Sequence, residues 1–201
     1  MLILVRHSES EYNKLNQFTG WYDSEISDIG IINCKNIICS KLSEYNIKFI
    51  FTSPLKRCKQ TIDIVLTHLG LNCKVTESKY LVERHYGALT GLNKDEVKSN
   101  YGDKLFVTYR RSWDVKPPPV ENNDNINTSI FENVYSESLK DVYNRVVPYF
   151  KENIEPLIKN NNVLIISHGN TLRALYKYLK NISDIDIEKF EIKNNELIVI
   201  N

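Results

Sequence analysis

Two short apolar runs constrain most tightly what this chain can fold into. Leu2-Ile3-Leu4-Val5 and Val163-Leu164-Ile165-Ile166 are unbroken, rich in β-branched side chains, and lie near opposite ends of the 201 residues. Continuous rather than alternating hydrophobicity marks strands buried on both faces, as in parallel sheets covered by helices. Each run stops at a histidine: Arg6-His7 follows the first, and Ser167-His168 follows the second. Ligands of α/β sheets bind just past the carboxyl ends of the strands. Neighbouring parallel strands would bring His7 and His168 side by side, with Arg6 next to them. Arg offers a rigid fork of donors matched to phosphate oxygens, and His can act as nucleophile or base. From these residues alone, a solvated strand end whose His bonds a neighbour reads equally well.

The stretches between the two runs alternate helix and strand. Ser27 is placed to cap a helix in which Ile31, Cys34, Ile38 and Leu42 recur at helical spacing. Ile47 to Phe51 reads as a second strand. A helix then opens at Lys56-Arg57, carries Ile62, Val65, Leu66 and Leu69 on one face, and stops at Gly70. Arg57 stands in the first turn, where the macrodipole disfavours a cation. A bound anion would offset that penalty; an Arg pointing into water is the plainer alternative. Val75 to Glu77 is a short strand, Asn93 caps a short helix through Val97, and a second short helix covers Lys104 to Arg111. Pro117-Pro118-Pro119 ends regular structure. The stretch at about 120–136 is Asn-rich and aperiodic, and is expected to be a mobile polar loop, either a lid or an idle insertion. Ser136 starts a long helix with Leu139, Val142, Val146, Phe150, Ile154 and Leu157 on one side, kinked or divided by Pro148 and Pro156. Ser183 caps a short helix, and Leu197 to Ile200 forms a closing strand.

Composition removes several classes of function. A formal net charge of +1 argues against general binding to nucleic acid or to anionic membranes. No apolar run is long enough to span a bilayer, and no signal peptide is expected ahead of the first strand. Cys34, Cys39, Cys58 and Cys73 make no C-x-x-C pair and have no His at zinc spacing, so reduced thiols in a cytoplasmic protein are expected.

The strand ends and helix starts offer Arg6, His7, Arg57, Glu83, Arg84, Lys94, Arg110, Arg111 and His168. One acid among so many cations, with two strand-end histidines, points to a phosphate pocket with proton-transfer capacity. There is no Walker-type loop and no carboxylate cluster for magnesium, so no metal is expected.

These residues carry a family resemblance. Arg6-His7 resembles the R-H-G of the histidine phosphatase superfamily, and Ser8-Glu9-Ser10-Glu11-Tyr12-Asn13 resembles the G-E-S-x-W-N of its cofactor-dependent phosphoglycerate mutases. Phe18-Thr19-Gly20-Trp21, Leu55-Lys56-Arg57, Glu83-Arg84-His85-Tyr86-Gly87, Gly91-Leu92-Asn93-Lys94, Arg110-Arg111-Ser112, Glu137-Ser138-Leu139-Lys140-Asp141 and His168-Gly169-Asn170 follow in order, over nearly the whole chain. The resemblance implies one domain over 1–201, a three-layer α/β/α fold with a mainly parallel sheet flanked by helices. It implies glycolytic and gluconeogenic interconversion of 3-phosphoglycerate and 2-phosphoglycerate, with 2,3-bisphosphoglycerate as priming donor. His7 would become a phosphohistidine. Arg6, Arg57, Asn13 and His168 would hold the phosphoryl oxygens, with His168 as a charged donor, and Glu83 would move the hydroxyl proton. Ser10, Thr19, Gly20, Arg84, Tyr86, Lys94, Arg110, Arg111, Gly169 and Asn170 would line the substrate site for small phosphorylated three-carbon acids. Relatives of this kind form homodimers or homotetramers.

Three features depart from the pattern. Ser8 stands where the family has Gly, with an expected cost in backbone strain if that position needs an unusual φ, and with a hydroxyl near the pocket. The loop after Pro119 matches neither the longer nor the shorter family version. Lys193-Asn194-Asn195-Glu196 replaces a Thr-Gly turn, and the sequence stops at Asn201 without the long tail of many members. Weak pocket closure would favour the alternative reading, a phosphatase of the same superfamily acting on small phosphorylated metabolites.

Overall fold

The computed structural model describes residues 1–120 and 130–200. The strands are β1 (Leu2–Arg6), β2 (Ile47–Thr52), β3 (Lys74–Glu77), β4 (Asn162–Ser167) and β5 (Leu197–Ile200). They form one sheet in the order β3-β2-β4-β1-β5, parallel throughout except that β5 runs antiparallel to β1. The two apolar runs are neighbours at its centre, with Leu2 opposite Val163 and Arg6 opposite Ser167.

Helices in chain order are α1 (Glu11–Lys14), α2 (Asp28–Asn33), α3 (Ser40–Leu42), α4 (Lys56–Leu69), α5 (Lys94–Arg111), α6 (Leu139–Asn153), α7 (Glu155–Ile158), α8 (Gly169–Lys180) and α9 (Asp184–Ile187). A π-helical stretch, Cys34–Cys39, joins α2 to α3. Successive strand side chains point to opposite faces, so each central strand feeds two cores. Leu2, Leu4, Val163 and Ile165 pack with Leu139, Val146 and Phe150 of α6 and Leu172 and Leu175 of α8. Ile3, Val5, Ile50, Leu164 and Ile166 pack with Cys34, Ile38, Leu42, and Ile62 and Val65 of α4. This is the expected three-layer arrangement. No helix among the described residues is long and apolar enough to cross a membrane.

Local signals acted as read at Ser27, whose Oγ accepts the Gly30 N–H, and at Gly70, which ends α4 with φ of 60°. Others need correction. The long helix begins after Ser138, not Ser136, because Ser138 and Asp141 complete a capping box while the Glu137 N–H is taken by the His85 carbonyl. The two helices expected at Asn93 and Lys104 are both present within α5: Gly102, whose φ of 76° and ψ of 161° are non-helical, divides them, and the first runs past its expected end at Val97. Of the Asn-rich stretch, 121–129 lie outside the described residues. The remainder is not a free polar loop: Ile130, Phe131 and Val134 pack on Trp21, Leu55 and Val82.

Candidate active site

The sheet order places three carboxyl ends in a row. β2 delivers Ser53 and the start of α4, β4 delivers His168 at the N-cap of α8, and β1 delivers Arg6 and His7. The His7 and His168 rings meet edge to face, with centroids 5.1 Å apart. His7 Nδ1 lies 2.6 Å from the Ser8 carbonyl, an acceptor only, so Nδ1 carries the proton and Nε2 keeps its lone pair. Burial, then Arg57 and Arg6, hold the His7 pKa well below the usual histidine range. Burial, then Arg57 and His7, do the same to His168. His168 Nε2 is 2.6 Å from Ser53 Oγ and 3.4 Å from Cys58 Sγ.

Arg6 and Arg57 make no ion pair among the described residues, although both are deeply set. Arg57 is 1% exposed and donates to the Tyr22 and Gly20 carbonyls at 2.9 and 2.8 Å. Gly20 sits at φ of 52°, a conformation that suits Gly and turns its carbonyl to Arg57. Arg6 Nη1 donates to the Ile192 carbonyl at 2.7 Å, and its guanidinium passes Gly169 where a Cβ would stand 3.4 Å away. The Nε atoms of both arginines, and Thr19 Oγ1, are buried without a partner among the described residues. Buried guanidinia without carboxylates are costly unless an anion completes them.

Glu83 is 7% exposed, on the segment between Leu81 and Tyr86. Its carboxylate accepts the Arg84 N–H at 2.8 Å and the Asn170 N–H, in the first turn of α8, at 3.1 Å. Its carbonyl accepts Trp21 Nε1 at 2.6 Å and Arg145 Nη2 at 3.0 Å.

The pocket is lined by Arg6, His7, Asn13, Thr19, Gly20, Arg57, Glu83, Tyr86, Lys94, Arg110, Arg111, Gly169 and Asn170 among the expected residues. Of the expected site residues, Ser10, Arg84 and His168 are not in this lining: Ser10 caps α1, and His168 is fully buried with its ring against that of His7. Arg84 stands behind Tyr86, its guanidinium 4.5 Å from that ring centroid and bonded to the Tyr109 and Arg110 carbonyls. Tyr86 Oη accepts Asn170 Nδ2 at 2.9 Å. Burial raises its pKa, but Arg84, Arg110 and the Asn170 bond outweigh that, so the net shift is downward. Burial lowers Lys94 and Arg110.

The lining also contains Phe18, named above only within its motif, and four residues that the sequence did not single out: Gln17, Arg173, Glu191 and Ile192. Arg173 is buried in α8, donates to Asn170 Oδ1 at 2.8 Å, and has its pKa lowered to about 10 by burial. Its signal was visible, since it is a charge in the otherwise apolar run Leu172 to Leu175. Glu191 pairs with Arg111 at 2.8 Å, and nothing local in the sequence announces that. Ser8 does not show the expected strain: it has no positive φ, and its hydroxyl bonds Asn195.

The arrangement combines a neutral nucleophilic imidazole, buried guanidinia without an ion pair among the described residues, a carboxylate, and the further cations Lys94, Arg110 and Arg111. The Histidine phosphatase superfamily (branch 1) matches residues 2–201. A 2,3-bisphosphoglycerate-dependent phosphoglycerate mutase of Nautilia profundicola is 44% identical, over 95% of this chain and 89% of its own. The corresponding mutase of Buchnera aphidicola is 43% identical, over 98% and 91%. Among solved structures, a mycobacterial glucosyl-3-phosphoglycerate phosphatase aligns with a TM-score of 0.76 at 20% identity, covering 98% of this chain and 90% of its own. That likeness concerns the fold. The chain belongs to the histidine phosphatase superfamily, and within it to the family of 2,3-bisphosphoglycerate-dependent phosphoglycerate mutases.

Proposed function

We propose that this protein interconverts 3-phosphoglycerate and 2-phosphoglycerate through a phosphohistidine at His7, an isomerase step of glycolysis and gluconeogenesis. The observation that carries the reading is a neutral His7, its Nε2 without a hydrogen bond among the described residues, in one pocket with Arg6, Arg57, Lys94, Arg110 and Arg111. Phosphoryl transfer asks for positioning and charge neutralisation more than for covalent help. Arg6, Arg57, the Asn13 amide and His168 hold the three phosphoryl oxygens. Lys94, Arg110 and Arg111, with Tyr86, Thr19, Gly20 and Asn170, hold the substrate's carboxylate and distal phosphate. A hydrolase acting on any monoester has no use for that second set.

The buried Nε atoms without partners among the described residues, and the cations Lys94, Arg110 and Arg111, fit a small molecule bearing two phosphates and a carboxylate. When bound, 2,3-bisphosphoglycerate supplies the phosphoryl group that primes His7. With His7 phosphorylated, a phosphoglycerate hydroxyl would attack the phosphoryl group: the P–O bond forms as the P–N bond breaks, Glu83 takes the hydroxyl proton, and His7 Nε2 regains its lone pair. In the reverse transfer His7 Nε2 would form the P–N bond as a P–O bond breaks, and Glu83 would return that same proton to the leaving oxygen. Ser10 and Arg84 support the pocket from behind, through α1 and Tyr86. The charge on the phosphoryl group is met by guanidinia and imidazole, so no metal enters the scheme. The four free thiols suit the cytoplasm.

Radiolabelled 2,3-bisphosphoglycerate should leave an acid-labile, alkali-stable label on the protein, and His7→Ala should take up none. A coupled assay for 2-phosphoglycerate should show turnover that rises when bisphosphoglycerate is added. Release of inorganic phosphate faster than 2-phosphoglycerate would replace this reading with a phosphatase.

A further inference from the structure

The turn at Lys193–Glu196 is fastened to the His7 region by bonds that the roles above leave unused. Ser8 is fully buried, and its Oγ donates to Asn195 Oδ1 at 2.6 Å. Its N–H donates to Thr61 Oγ1 at 3.2 Å, and its carbonyl accepts His7 Nδ1 at 2.6 Å. Ser8 is therefore held at side chain, amide and carbonyl, and that carbonyl decides which His7 nitrogen carries the proton. Asn194 Nδ2 donates to the His7 carbonyl at 3.0 Å and to Asn13 Oδ1 at 3.2 Å. Asn13 Oδ1 also accepts the Ser10 N–H at 3.2 Å. With the oxygen occupied twice, the Asn13 NH2 is left to donate into the pocket.

The turn is itself well defined. Glu196 Oε2 accepts the Lys193 N–H at 2.6 Å, and Asn195 sits at φ of 61°, a region that Asn tolerates better than most side chains. The Glu196 carbonyl in turn accepts the Arg6 N–H at 3.2 Å.

We propose that Ser8, Asn194 and Asn195 are positioning residues: a strap from the C-terminal turn that fixes the His7 tautomer and aims His7 and Asn13 at the phosphoryl group. Its kinetic consequence rests on the phosphohistidine reading; its consequence for the His7 ring does not. An error of about 1 Å in a reacting group can cost about a hundredfold in rate. Ser8 and Asn195 are both buried, so removing one leaves the other unsatisfied, whereas removing both is milder.

Three substitutions isolate the strap. Asn195→Gly keeps the backbone conformation and removes the acceptor. Asn195→Asp keeps an oxygen for Ser8. Asn194→Ala removes the donor to His7 and Asn13. Nitrogen-15 shifts of histidine-labelled protein report the His7 tautomer, and rapid-quench uptake of label from bisphosphoglycerate reports the transfer step. His7 in the unaltered protein should carry its proton on Nδ1. Asn195→Gly and Asn194→Ala should lose part of that population and slow uptake by about tenfold or more, with KM changed by less than about twofold. Asn195→Asp should return to within about twofold of the unaltered rate, and Ser8→Gly with Asn195→Gly should be no slower than the worse single variant. The proposal is overturned if Asn194→Ala and Asn195→Gly keep the unaltered tautomer and uptake rate. It is overturned equally if Asn195→Asp is as impaired as Asn195→Gly. If Asn195→Gly does not fold, Asn194→Ala decides the matter alone. A protein that takes up no label in any form would sink the mutase reading, and the tautomer measurement would still decide the strap.

Discussion

Glu83 is held by main-chain donors, the Arg84 and Asn170 N–H groups, at a pocket whose other charged walls are mostly cationic. A carboxylate so placed serves proton transfer, and Glu83→Gln should lower kcat by about two orders of magnitude or more with a smaller change in KM, as steady-state kinetics will show. A change confined to KM would make it a structural partner of the arginines. His168 supplies a second test at this scale. Burial, Arg57 and His7 favour its neutral form in the free protein. An anion between the arginines reverses part of that field, and linkage requires that a group whose charged form aids the anion be protonated more easily once it is bound. An NMR titration should therefore show the His168 pKa rising when bisphosphoglycerate is added; an unmoved pKa would remove it as the charged donor. Residues whose chemistry is local were legible in the sequence. His7, Arg6 and His168 sit at strand ends, where position admits a ligand as readily as water and the surrounding motifs tip the balance. Glu191 and Gln17 were not, because their place depends on how distant segments fold over the pocket.

The central sheet was legible because β1 and β4 are buried on both faces, and only one layered arrangement covers them. Helix caps that rest on one residue, the Ser27 hydroxyl and the left-handed Gly70 backbone, were legible too. The start of α6 was misplaced because the competitor for the Glu137 N–H is the His85 carbonyl, 52 residues away in sequence. That junction matters to the site. Arg145 of α6 pairs with Glu137 at 2.7 Å, and its Nη atoms bind the Tyr80, Val82 and Glu83 carbonyls. Glu137 Oε2 accepts the His85 N–H. One buried ion pair thus ties α6 to the segment that carries Glu83. Removing one member leaves the other charge buried and uncompensated, at a cost of about 3–5 kcal/mol. Arg145→Met should lose stability of that order in urea unfolding. It should also lower kcat, since Glu83 loses a main-chain anchor. A loss under about 1 kcal/mol would mean that water enters and solvates Glu137.

At the scale of the whole molecule, three histidines are buried in neutral form, and together they set the acid limb of stability. Burial, with Arg57, holds His7 and His168 well below their ordinary range, and burial lowers His85 to about 4 against the opposing pull of Glu137. In the unfolded chain each histidine titrates near 6.5. Between the two values the unfolded state binds more protons than the folded one, so stability is full above about 6.5 and falls as pH falls. The slope is about 1.4 kcal/mol per pH unit for each such histidine until its folded pKa is reached. Asp141 acts with the same sign at lower pH, because burial opposes its charge but the Ser138 hydrogen bonds outweigh that and lower its pKa. His85 is the one of the three with no part in the proposed chemistry, and it lies outside the pocket lining. Its ring meets Trp21 edge to face with centroids 4.5 Å apart, and its Nδ1 accepts the Gly87 N–H at 2.9 Å. Asn at this position keeps an oxygen for Gly87 and has no proton to gain. His85→Asn should therefore shrink the loss of stability between pH 7 and pH 5 by about 2 kcal/mol, measured by urea unfolding at both values. His7 and His168 would still produce a fall, so the limb should flatten without disappearing. An unchanged difference would mean that the folded protein protonates His85 near its ordinary pKa, and that its pocket beside Trp21 admits the charge.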